Sequence, residues 1–76
     1  MKSNSPKMEH LLPQRVKALR EKEQLSQVAL AAELELSPGL IASIEIGTSS
    51  VSINTLLLLA HYFEVSTDYL LGLTDI

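Results

Sequence analysis

Cysteine is absent from the 76 residues, which excludes a disulfide framework, a thiolate metal site and a cysteine nucleophile. No lysine or arginine follows Lys22. The chain has no apolar run of about 18 residues and no signal-peptide-like apolar region, so neither a spanning helix nor a secretory leader is expected. The three glycines, Gly39, Gly47 and Gly72, are scattered and form no phosphate-cradling loop. His10 and His61 lie far apart, one in the expected arm and one on a helix exterior, with no second histidine at ligand spacing. These absences point to a non-enzyme with no metal and no cofactor. We expect a soluble cytoplasmic protein of one domain, with no internal repeat, no membrane partner and no small-molecule ligand. A domain this short buries roughly 60 to 65% of its unfolded surface and is marginal in stability, so a partner subunit would help it.

Charge is divided along the chain. Residues 1–22 carry all six bases against Glu9 and Glu21, while residues 23–76 carry seven acids and no base, for a formal net charge of −3. A nucleic-acid-binding surface normally shows a basic footprint. Here that footprint is confined to the N-terminal third.

The apolar residues recur at helical spacing. Residues 1–12, with SNSP and scattered charge, have no such period and are expected to form a flexible arm, leaving residues 13–76 as the folded domain. Pro13 suits the opening of a first helix that ends near Glu23, with Val16 and Leu19 inward and Arg15, Lys17 and Lys22 outward. Ser26 and Ser37 stand where N-caps are needed, and a break at Glu35 to Ser37 divides a second helix, Gln27 to Leu34, from a third, Pro38 to about Glu45. Pro38 falls at the first helical position of the third helix and Gly47 suits its left-handed terminator. Two short helices around a tight turn make a helix-turn-helix.

Ser52 is expected to cap a fourth helix, Ile53 to Phe63, with Ile53, Leu56, Leu57, Ala60 and Phe63 inward and Leu58, His61 and Tyr62 outward. His61 reads as a surface residue. Ser66 caps a short last helix, Thr67 to Leu71, with Asp68 in its first turn. Leu70, Leu71, Leu73 and Ile76 then exceed the apolar needs of one small core. With Leu58 and Tyr62 they suggest a dimer interface of Leu58, Tyr62, Leu70, Leu73 and Ile76.

The runs RVKALREKEQLSQVALAAELELSPGLIASIEIG and SINTLLLLAHYFEVSTDYLLG, within residues 15–72, resemble the Cro-type (XRE) family of lambda-repressor-like DNA-binding domains. The resemblance rests on Arg15, Leu19 and Arg20 in the first helix, Leu25 to Gln27 opening the second, and Leu30 and Ala31 within it. Ile41, Ile44, Glu45 and Gly47 on the third and the LLLLAHYFEVSTDYLLG ending complete it. It implies an all-α, compact five-helix domain with its helix-turn-helix at helices two and three. It also implies an ion pair between Arg20 and Glu45, and a Gln27 side chain that donates to a DNA phosphate beside the unpaired amides of the second helix.

By the same resemblance, the third helix lies in the major groove with Pro38, Gly39, Leu40 and Ser43 nearest the bases. Family members place bidentate polar side chains there; proline, glycine and leucine cannot hydrogen-bond through theirs. Leu40 can touch a thymine methyl, and Ser37, Ser43, Thr48 and Ser49 can bond without charge. Arg15, Lys17 and Lys22, with Lys2 and Lys7 of the arm, would then supply the phosphate contacts. Two readings remain open: a sequence-specific transcriptional regulator that binds double-stranded DNA as a homodimer on a paired site, and a protein-interaction module whose uncharged third helix docks a partner.

Overall fold

The computed structural model describes residues 11–48 and 50–76. The expected arm, including Lys2 and Lys7, lies outside the described residues except for Leu11 and Leu12, and Ser49 lies outside them too. Five helices follow one another: α1 (Leu11–Lys22), α2 (Gln27–Leu34), α3 (Pro38–Ile46), α4 (Ile53–Phe63) and α5 (Thr67–Leu71). The fold is all-α.

One local device starts four of these helices. Ser26, Ser37, Ser52 and Ser66 have extended backbone, and each hydroxyl accepts from the amide three residues on: Ala29 at 3.0 Å, Leu40 at 3.3 Å, Thr55 at 3.1 Å and Tyr69 at 2.9 Å. Such a cap stabilises a helix by about 1 kcal/mol. An apolar residue precedes each serine, and Leu25, Leu36, Val51 and Val65 all pack against the core. That placement fixes the angle at which the chain enters each helix.

The helix ends use a matching device. Gln24, Glu35, Gly47, Glu64 and Gly72 all have positive φ, between 57° and 89°. After each, the next amide reaches back across the last turn: Leu25 to the Arg20 carbonyl at 3.1 Å, Leu36 to Ala31 at 2.8 Å, Thr48 to Ser43 at 3.0 Å, Val65 to Ala60 at 3.0 Å and Leu73 to Asp68 at 2.8 Å. These Schellman closures pair carbonyls that would otherwise lack partners. Glycine occupies two of the five left-handed positions, so Gln24, Glu35 and Glu64 hold a conformation that L-residues disfavour.

The core takes residues from every helix: Leu12 and Val16 of α1, Leu30 and Ala31 of α2, Ile41 and Ile44 of α3, Leu59 and Ala60 of α4, and Leu70 of α5. Burying each larger side chain contributes about 1.5–3 kcal/mol. α3 packs on α1 and α2, and α5 packs on α1 and α4. The helix-turn-helix therefore rests on α1, and the C-terminal helix closes back on α1 as well.

Four expectations are corrected. α1 begins at Leu11, not Pro13, and Leu12 is core. Proline at the third helical position costs no bond, because the first four amides of a helix have no internal acceptor. α4 is rotated from the expected phase: Thr55 and Leu59 point inward, while Ile53 is 75% and Leu57 52% exposed. Tyr62 is half-buried, its ring edge-on to Phe63 at 5.1 Å between centroids. Leu70 is fully buried, so it fills the core and cannot belong to an interface.

Candidate nucleic-acid interface

The helix-turn-helix is held by a polar clamp built from α1, α2 and α3. The Arg20 guanidinium meets the Glu45 carboxylate side-on, with Nε donating to Oε2 at 2.6 Å and Nη2 to Oε1 at 2.9 Å. Its third nitrogen, Nη1, donates to the Leu25 carbonyl at 2.8 Å, in the link between α1 and α2. The two side chains are 11% and 4% exposed. A paired guanidinium and carboxylate with this geometry fix direction as well as distance.

Gln27, the first residue of α2, joins the clamp: its Nε2 donates to Glu45 Oε1 at 3.0 Å. Burial pushes the Glu45 carboxyl up, but the bonds from Arg20 and Gln27 and the charges of Arg20 and Lys17 outweigh it, holding the group below its ordinary value. The bond to Glu45 likewise raises Arg20, against the opposing effect of burial. Arg20 is thus spent on structure, as the expected ion pair requires.

Arg15 is spent as well, which corrects its place among the phosphate-contacting bases. Its Nη1 donates to the carbonyls of Tyr69 and, at 2.7 Å, Thr74; Nη2 reaches Asp75 Oδ1 at 3.3 Å. The guanidinium lies 4.1 Å from the centre of the Tyr69 ring, and the side chain is 16% exposed. A guanidinium among carbonyls, a carboxylate and an aromatic face has few donors left for an external anion. Of the bases in α1, Lys17 and Lys22 remain exposed, each without a salt bridge among the described residues.

On α3, Pro38 and Gly39 are exposed at the N-terminus, and Leu40 and Ser43 are half-buried. Leu40 packs partly against the core, which limits what it can offer a base edge. The Ser37 hydroxyl accepts from Leu40, so its own proton stays available for donation. Thr48 follows α3, exposed, its hydroxyl 3.5 Å from the Ser43 carbonyl. Ile46 is 73% exposed at the C-terminal end of α3, and Val28 is 62% exposed in the first turn of α2.

A family model described as helix-turn-helix matches residues 16–70. The chain belongs to that family, the Cro-type (XRE) group. A relative in this helix-turn-helix family is 32% identical over 62 residues, 82% of this chain and 55% of its own length. It is the uncharacterised HTH-type transcriptional regulator YobD of Bacillus subtilis (strain 168). The chain thus spans about 55% of the curated relative it matches.

As a member of the helix-turn-helix family the chain has an α3 whose one charged residue, Glu45, is held in the clamp. The structure brings Arg20, Gln27 and Glu45 together and places Pro38, Gly39, Leu40 and Ser43 on one short helix, with Ser37 as its N-cap at the turn. Arg15 is drawn away to α5. Two members of the clamp escaped the sequence reading, the Leu25 carbonyl and the Gln27 amide as a donor to Glu45. A backbone acceptor leaves no trace in residue identity; Gln27 had a signal only in its place at the start of the helix that packs against α3.

Proposed function

We propose that this protein is a DNA-binding transcriptional regulator that acts as a homodimer on a paired operator site. The observation that supports the reading is the Arg20–Glu45–Gln27 clamp, which holds α3 at a fixed angle to α1 and α2. Among the described residues Pro38 and Gly39 at the N-terminal end of α3 are exposed, as are Lys17 and Lys22 on α1. The relative whose name is a transcriptional regulator supports the same class.

DNA backbone contacts come from Lys17 and Lys22, from the free proton of Ser37, from the Thr48 hydroxyl and from the second amide proton of Gln27. Direct base reading is left mainly to Ser43, with an apolar contact from Leu40. Discrimination is therefore modest, at about 1–3 kcal/mol for a good side-chain contact and less for a single hydroxyl. Two-fold symmetry doubles what one subunit reads, which is why a paired site fits a reader of this kind.

The exposed Val28 and Ile46 favour the second reading, a module that docks a protein partner through the apolar helix-turn-helix. An unbiased selection of bound duplex DNA at low and at moderate salt separates the two. Enrichment of a two-fold-related site at low salt supports the regulator; no enrichment at either salt favours the docking module.

A further inference from the structure

Among the described residues, helix α4 has an outer face that no other element covers. Asn54, Leu57, Leu58 and His61 line one shallow groove of about 280 Å³, and Leu57 and Leu58 are 52% and 41% exposed. Their spacing, i, i+3, i+4 and i+7, places them in a single stripe along the helix. Ile53 extends the same apolar surface at 75% exposure. No aspartate, glutamate, lysine or arginine lies anywhere in Ile53–Phe63.

That absence of charge limits what can cover the stripe. A basic or acidic peptide would find no counter-charge, and DNA would find no cation. An occupant must be as uncharged as the face itself. This chain carries such a surface in the stripe, and the stripe is symmetric about its middle: polar, apolar, apolar, polar, with the point midway between Asn54 and His61 coinciding with the point midway between Leu57 and Leu58.

We propose that two copies of this chain pack α4 against α4 antiparallel, on a two-fold axis between Leu57 and Leu58. The axis brings Leu57 of each copy beside Leu58 of the other and sets each Asn54 against the other copy's His61. The amide oxygen of Asn54 accepts from an imidazole N–H of His61, so the polar ends of the stripe pair as its apolar centre closes. A C2 contact of this kind is self-complementary, as a two-fold requires. The proposal rests on the homodimer in the functional reading and names the surface that makes it.

The test is sedimentation of the full chain without DNA, so that its outcome is independent of any operator. Leu57→Asp should weaken the dimer at least about tenfold, with circular dichroism confirming that the half-exposed site tolerates the change. A pair of double variants tests the register. Asn54→Asp with His61→Lys introduces opposite charges that meet across an antiparallel axis, so the dimer should hold or tighten by up to about fivefold for each of its two pairs, and become salt-sensitive. Asn54→Asp with His61→Asp should weaken it. If both double variants weaken the dimer alike, α4 does not pair antiparallel and the proposal is wrong. A dimer indifferent to Leu57→Asp but broken by Leu73→Asp overturns the α4 surface alone. A chain that stays monomeric at millimolar concentration overturns the homodimer itself.

Discussion

Replacing Arg20 with methionine isolates the clamp. The substitution keeps the aliphatic length but removes both Arg20 donors to Glu45 and the donor to the Leu25 carbonyl, leaving a carboxylate whose side chain is 4% exposed with Gln27 as its remaining donor among the described residues. Breaking one side of a buried pair costs about 3–5 kcal/mol. The retained Gln27 bond places Arg20→Met near the lower end, at about 3 kcal/mol. A chain of 76 residues has roughly 4–11 kcal/mol of stability in all. Such a loss lowers Tm by roughly 12–24 °C. The effect must also depend on pH in one direction. The folded state holds the Glu45 carboxyl below its ordinary 4.5. The parent therefore has the pair's full contribution above about pH 4.5 and loses it as pH falls through the lower folded value. The stability gap between parent and variant should accordingly be widest near neutrality and narrow in acid. Glu45→Met on top of Arg20→Met should recover at least half the loss, because no charge is then left buried without a partner. Urea unfolding of the parent, both single variants and the double variant between pH 3 and 7 measures all of this. A cost under about 1 kcal/mol for Arg20→Met, or strict additivity in the cycle, would refute the clamp as the element that fixes α3.

Arg15→Ala should cost about 2 kcal/mol by removing the bonds to the Tyr69 and Thr74 carbonyls; hydrogen exchange should quicken across residues 70–75 while the helix-turn-helix amides keep their protection. Glu35→Gly and Glu64→Gly relieve left-handed residues at φ 57° and 58° and should each stabilise by about 0.5–1 kcal/mol, a Tm gain of roughly 2–8 °C in thermal scans. Gly72→Ala should do the reverse, since its Cβ would come within 2.8 Å of Leu11 Cδ1 at a φ of +85°; a Tm equal to the parent's would show that this α1–α5 junction gives way easily.

The serine caps, the turn and the Arg20–Glu45 pair were legible in the sequence because each depends on residue identity at a fixed local spacing or on the family pattern. The phase of α4 was not. Leu56, Leu57, Leu58 and Leu59 are all apolar, so the centre of that helix has no contrast between faces, and packing against α2 and α5 decides which leucines turn inward. Arg15 was misplaced for a different reason. A start of α1 at Pro13 sets it on the outward side, but it stands three residues after the buried Leu12 and four before Leu19, at the border of the inward face, and its acceptors are the carbonyls of Tyr69 and Thr74 and the carboxylate of Asp75, from the far end of the chain. The Leu11–Leu12 start of α1 was hidden by Pro13, which serves the third helical position as well as the first.

The central claim is that DNA binding here runs on few cations, because Arg15 and Arg20 are engaged within the fold. The salt dependence of affinity for a selected duplex measures that number directly. With Lys17 and Lys22 alone, the slope of log affinity against log salt should be roughly −2 per subunit, approaching −4 if Lys2 and Lys7 also reach phosphates. Lys17→Ala with Lys22→Ala should flatten it by roughly 2 and weaken binding to all sequences alike, whereas Ser43→Ala should alter preference at one or two base pairs. A slope that stays unchanged when both lysines are removed but collapses with Arg15→Ala would contradict the account, as would a slope near zero with no duplex bound at low salt.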